Sequence, residues 1–234
     1  RHQIARAHLI ASIPNDIASA AAAVKFAPGR FSAVTMVNPA MPPADITGIQ
    51  GIMLFPAMHR YSLHDARVKA IIATAAGQGA KVVYVHCGAL SVGFRKKLGL
   101  PCRFDMQYSN PVDVHELALE FPQLAFVIPH FGAGYFREAL MLCDLCPNVY
   151  LDTSSTNRWM RYHAPHLDLR AVFRQALEVA GPKRLLFGSD SSFFPRGWHY
   201  QIFEEQATAL YELGLDEAGA RAIFRENLMR ILAA

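Results

Sequence analysis

The chain has 234 residues, 52% of them apolar and only 18% charged, which excludes a disordered polypeptide and calls for a sizeable buried core. Its net charge of +4, with Arg95-Lys96-Lys97 as the densest basic run, is too mild to suggest nucleic acid or an anionic membrane as partner. No apolar stretch approaches the ~20 residues of a membrane span. Four cysteines are ordinary usage, so a reducing, cytoplasmic setting is expected.

Seven short β-branched or aromatic runs predict strands at 8–13, 31–37, 51–55, 81–86, 124–129, 148–152 and 184–187. Most are apolar throughout, the pattern of parallel strands buried on both faces. Amphipathic helices lie between them. Ser62, with Asp65 three residues on, predicts a helix running to about Ala76 and stopped by Gly77. A second opens at Asp168, with Leu169, Val172, Phe173, Ala176, Leu177 and Ala180 on one stripe, and ends at Gly181-Pro182. A last helix starts near Asp216 and carries Ile223, Phe224, Leu228 and Ile231 on one face.

This alternation, with no break in composition, predicts one α/β domain over 1–234, a (β/α)8 TIM-type barrel lacking its first strand. Seven strands are one short of eight. The thirteen residues between Val37 and Gly51, three of them proline, leave little room for a crossover helix.

Reactive groups in such barrels sit at the carboxyl ends of strands. KVVYVHCG ends a strand at His86, LAFVIPHFGAG ends one at His130, and RLLFGSD places Asp190 just beyond the last. A strand-end histidine taken alone is more often structural. Three such groups on one rim point instead to a site, because imidazole and carboxylate are standard zinc ligands and a catalytic ion keeps one position for water.

These motifs, with PGRF at 28–31, MVNP at 36–39, LFPAMH at 54–59 and NVYLDTSS at 148–155, resemble the amidohydrolase-related metal-dependent hydrolases. That branch of the amidohydrolase superfamily includes aminocarboxymuconate-semialdehyde decarboxylase and related aromatic-acid decarboxylases and lactonases. The resemblance spans about Ala7 to Leu232. It implies a distorted barrel holding one divalent ion, zinc in many members, between a His-x-His pair on strand one, a histidine on strand five and an aspartate on strand eight. By motif, His86 is similar to the strand-five ligand and His130 to the strand-six catalytic histidine. Asp190 resembles the strand-eight carboxylate that touches both metal and water.

The chain departs from this pattern in carrying no His-x-His. It opens Arg1-His2 rather than with Met, so that pair is expected upstream. With His86 and Asp190 as the only two carried-over ligands, zinc is expected to bind this chain weakly or not at all. Met53 stands where many relatives have a metal-bridging lysine, which argues against two ions.

Further candidates are weighed one by one. His59, in the AMHRYSLHD segment, is a substrate-binding candidate, although histidines in loops are usually solvated. Arg103 is the first choice among the basic residues after His86 for a substrate carboxylate. His64 is expected to be structural or exposed. Cys143 and Cys146 have CxxC spacing but no second pair, and are expected to be core thiols. His163 and His166 flank Ala164-Pro165 and suit a surface loop. Asp152, before Thr153-Ser154-Ser155, stands at the rim but suits a cap of the next helix slightly better. There is no phosphate-binding glycine loop and no serine nucleophile elbow.

The function expected is a metal-dependent hydrolase acting on a small carboxylated organic molecule through metal- or Asp-activated water. Non-oxidative decarboxylation on the same framework is the alternative. A metal-free hydrolase, or a non-catalytic barrel binding a small ligand or a partner, are the further readings. Self-association into a homo-oligomer is compatible with the sequence.

Overall fold

A computed structural model describes residues 4–11, 13–43, 45–89, 99, 104–155, 157–191 and 197–234. Its seven strands are β1 (Ala7–Ala11), β2 (Phe31–Val37), β3 (Gly51–Leu54), β4 (Val82–Val85), β5 (Ala125–Ile128), β6 (Val149–Asp152) and β7 (Leu185–Leu186). They form one parallel sheet in chain order. All seven lie within or next to the runs read from the sequence, although β7 keeps only two residues of its four. The sheet is strongly curled. His8 of β1 stacks on Tyr84 of β4 with ring centroids 5.7 Å apart, whereas strands three places apart in a flat sheet stand about 14 Å from each other. The architecture is TIM-barrel-like. Among the described residues β1 and β7 do not pair with each other.

The helices are α1 (Ile17–Phe26), α2 (Pro56–His59), α3 (Ala66–Gly77), α4 (His115–Glu120), α5 (Phe136–Leu145), α6 (Leu169–Val179), α7 (Tyr200–Glu212), α8 (Glu217–Arg221) and α9 (Asn227–Ala233). Side chains alternate across each strand, so each face of the sheet builds its own apolar cluster. Ile52, Leu54, Val83, Val85, Phe126 and Ile128 pack outward against the helices. Val34, Met53, Tyr84, Val127 and Leu186 meet inside the curl, where Ile231 of α9 joins them. The Asp168 helix forms as read: its carboxylate accepts the Ala171 amide at 2.7 Å, and Val172, Phe173 and Ala176 are fully buried. Burying Phe173 alone contributes roughly 1.5–3 kcal/mol.

Two local expectations are corrected and one is met. The cap of α3 is Asp65, not Ser62: its carboxylate accepts the Arg67 amide at 2.9 Å and also grips the Arg67 guanidinium, an advantage Ser62 lacks. The helix from Asp216 is interrupted by a wide π turn at Ala222–Glu226 before α9 continues it. Between β2 and β3 the described residues contain no helix. Instead Asn38 and Met41 form an antiparallel bridge, and Asn15 Nδ2 donates to Met41 O at 2.8 Å. No helix among the described residues is long and apolar enough to cross a membrane.

Candidate active site

The period of two along a strand decides which side chains reach the rim inside the curl. Tyr84 faces inward, and so does His86 two residues on. Tyr150 faces inward, and so does Asp152. His86 is 4% exposed and stacks on Phe55, with centroids 5.0 Å apart. Its ring meets the edge of His130, the centroids 5.2 Å apart at 64°. Burial, reinforced by the nearby His130, pushes the His86 imidazole down to about 3, so it is neutral at physiological pH. Its Nδ1 is buried and has no hydrogen-bond partner.

His130 sits on an unusual support. Residues 130 to 134 (HFGAG) all have positive φ: 58° and 52° at His130 and Phe131, 84° at Gly132, 45° at Ala133 and 107° at Gly134. A left-handed conformation costs a non-glycine residue about 1–2 kcal/mol, so neighbouring packing must hold this turn. Phe131 is fully buried, edge-on to Phe136 and Phe173 at 5.9 and 5.4 Å. The loop after His86 fits against the turn: Ala89 donates its amide to Ala133 O at 2.8 Å. A Cβ on Gly88 would stand 2.1 Å from Gly132 O, so only glycine fits there. The CG of HCG and the HFGAG motif are thus two halves of one joint that brings the histidines together.

Asp152, 9% exposed at the end of β6, does not cap a helix as the sequence suggested. Its Oδ1 accepts the Ser154 amide at 2.9 Å and the Ser154 hydroxyl. Ser154 Oγ in turn lies 2.8 Å from His130 Nδ1, and Ser154 O lies 3.3 Å from the same nitrogen. Burial raises the Asp152 carboxyl above the usual carboxylate range, opposed by His130 and by the hydrogen bonds from Ser154. The strand ends are locked together by Gln206 of α7, 1% exposed. It accepts the Thr153 hydroxyl at 2.6 Å and donates to Thr153 O and Gly188 O at 2.8 and 3.3 Å. The sequence reading left Ser154, Gly188 and Gln206 without a role. The Asp-x-Ser spacing of an Asx turn was the signal available for the first.

The other candidates fall in different places. Asp190 is exposed beyond β7, with φ 50°. His59 ends α2 rather than lying in a loop. It is half-buried, stacks on Tyr61 at 6.3 Å, and burial lowers its pKa. His64 bridges to Glu116 and Asp113 at 3.0 and 3.7 Å on the surface. Arg103, with Arg95, Lys96 and Lys97, lies outside the described residues. Cys143 and Cys146 are buried free thiols, as read. His163 is half-buried against Trp159, with centroids 5.4 Å apart, and His166 is exposed.

The donor chemistry of His86, a neutral ring with an unpartnered buried nitrogen, suits a metal ligand. The number of ligands does not reach what zinc needs. Among the described residues no three His, Cys, Asp or Glu side chains converge on one point.

A parallel, curled β/α sheet with two imidazoles and a buried carboxylate gathered at its carboxyl rim belongs to the class of TIM-barrel-like proteins that place reactive groups there. Residues 2–233 match the amidohydrolase family, and the chain belongs to it. It is 34% identical over 87 residues to the fluG protein of Emericella nidulans, matching 37% of this chain and 10% of that protein. The match therefore spans about a tenth of the length of that curated relative. Three solved structures share the fold. A putative 2-pyrone-4,6-dicarboxylic acid hydrolase from Pseudomonas putida has a TM-score of 0.64 at 18% identity, covering 98% of this chain and 82% of that one. An amidohydrolase from Burkholderia multivorans with bound zinc gives 0.66 at 16%, covering 98% and 83%. The 5-carboxyvanillate decarboxylase of Sphingomonas paucimobilis gives 0.59 at 16%, covering 93% and 71%.

Proposed function

We propose that this chain is the barrel of an enzyme that hydrolyses a small carboxylated organic molecule, with His130 as the proton carrier. The observation that carries this reading is the edge-on meeting of His86 and His130 at 5.2 Å on a left-handed turn that costs energy to maintain. Strain of this kind persists where surrounding contacts over-determine the backbone.

His86 and Asp190 are the donors this chain would offer a divalent ion, zinc by analogy with the relative that contains it, and because two donors are fewer than a zinc site needs, binding by this chain would be weak. When bound, such an ion lowers the pKa of a coordinated water toward 7. The chain's own part is proton movement: His130 takes a proton from the attacking water and returns it to the leaving oxygen. Asp190 would share in orienting that water. Arg103 and His59 are the proposed contacts to the substrate, Arg103 to its carboxylate. Non-oxidative decarboxylation is the second reading, favoured by the likeness to the 5-carboxyvanillate enzyme. It needs the same imidazole to deliver a proton to the carbon that loses carbon dioxide.

Turnover measured on cyclic lactone dicarboxylates and on hydroxylated benzoates, with and without added zinc, separates the two chemistries. His130→Gln should lower kcat by ~10²–10⁴ on whichever class reacts. His86→Ala and Asp190→Asn should each weaken zinc binding, read by elemental analysis. Full turnover by His130→Gln overturns the assignment of the proton carrier. No turnover of either class, with zinc added, overturns the proposed chemistry.

A further inference from the structure

A neutral imidazole carries its proton on one of two nitrogens, and a proton carrier works through the lone pair on the other. Among the described residues the hydrogen-bond contacts of the His130 ring bear on this choice, and both involve Nδ1: Ser154 Oγ at 2.8 Å and the Ser154 carbonyl oxygen at 3.3 Å. A carbonyl oxygen only accepts. The hydroxyl has a single hydrogen, and Asp152 Oδ1 is in close contact with it. Asp152 Oδ1 also accepts the Ser154 amide at 2.9 Å. An acceptor surrounded in this way takes the hydroxyl hydrogen, which leaves Ser154 Oγ with lone pairs directed at Nδ1.

We infer that Ser154, oriented by Asp152, holds His130 as its Nδ1–H tautomer, so that Nε2 is the nitrogen that takes and gives the proton. This rests on the reading of His130 as the proton carrier. Ser154 is a positioning residue here. It is 6% exposed and its hydroxyl hydrogen is committed to Asp152, so it is not a nucleophile activated by His130. The order Asp–Ser–His runs opposite to a catalytic triad, in which the histidine accepts the serine proton. Free histidine prefers the Nε2–H form, so the tautomer has to be imposed by these contacts.

The test is nitrogen NMR of the full chain labelled with ¹⁵N-histidine, with chelator present and at alkaline pH where the rings are neutral. The His130 signals are assigned by their loss in His130→Gln. The wild-type spectrum should show a protonated Nδ1 and an unprotonated Nε2 for this residue. Ser154→Ala should lower the ratio of Nδ1–H to Nε2–H about fivefold, the loss expected for one ordinary hydrogen bond. A protonated Nε2 in the wild type overturns the inference without reference to any variant. An unchanged ratio in a folded Ser154→Ala chain overturns the role of Ser154. Neither outcome depends on turnover, so a failure here is distinct from a failure of the proposed reaction.

Discussion

Gly188 passes directly over Asp152: a Cβ placed on it would stand 2.5 Å from Asp152 Oδ2 and 2.7 Å from Ser154 Cβ. The glycine of FGSD is therefore a spacer that lets the end of β7 lie against the carboxylate supporting Ser154. Gly188→Ala should destabilise the fold by about 1–3 kcal/mol through overpacking and displace Asp152 as well. Urea unfolding reads the first effect and turnover the second. A variant with unchanged stability would show that the strand ends move apart without cost.

Gln206→Leu removes a buried amide that serves Thr153 and Gly188 together. The leucine fills the space but leaves the Thr153 hydroxyl and carbonyl without their partner. We expect a loss of about 1–3 kcal/mol in denaturant unfolding. A loss no larger than that of an exposed substitution on α7 would contradict the staple.

The left-handed turn makes an inverted prediction. At most positions Ala→Gly weakens a protein, yet Ala133→Gly should be neutral or stabilising by up to about 1 kcal/mol, because it relieves a backbone held at φ 45°. Gly134→Ala, at φ 107°, should cost more than about 1 kcal/mol. Thermal unfolding of the two variants decides, and the opposite ranking would refute the strain.

His8 predicts an acid-sensitive fold. Burial lowers its pKa from 6.5 to about 4. Between those values the unfolded chain binds a proton that the folded chain refuses. Stability is therefore full above pH 6.5 and falls as the pH drops through about 4, with a slope approaching 1.4 kcal/mol per pH unit for this residue. His86 acts in the same direction. In His8→Gln the decline in urea-unfolding free energy over that window should be shallower than in the wild type. An identical slope would show that His8 does not contribute.

The CxxC pair should be chemically quiet. Burial raises the Cys143 thiol to about 12 and raises the Cys146 thiol as well. Because the thiolate is the nucleophile, both should resist alkylation in the native state and react only on unfolding. Rapid native labelling of Cys143, detected by mass spectrometry of peptides, would exclude a core role.

Much of the fold was legible because burial leaves a plain imprint on composition. Val82–Val85 and Ala125–Ile128 are apolar throughout since both faces of each strand are covered, and Asp168 announced its helix through a cap that operates locally. Ser62 and Asp65 carried the same kind of signal, and the choice between them turned on the guanidinium of Arg67. The site was half legible. His86 and His130 showed themselves as polar residues ending apolar runs. Ser154 did not, because its role arises where the ends of β5, β6 and β7 meet, and no spacing within one segment encodes that meeting. Gln206 looked like an ordinary helix residue for the same reason, as its partners lie 53 and 18 positions away.

The order of the sheet has a consequence for biosynthesis. Each strand finds its partner in the strand just completed, from β1 through to β7. The growing polypeptide can add one β/α unit at a time as it leaves the ribosome, without holding an unpaired strand in reserve for a distant mate. Such stepwise accretion shortens the interval in which sticky strand edges are bare, a kinetic safeguard for a chain whose central strands are almost wholly apolar.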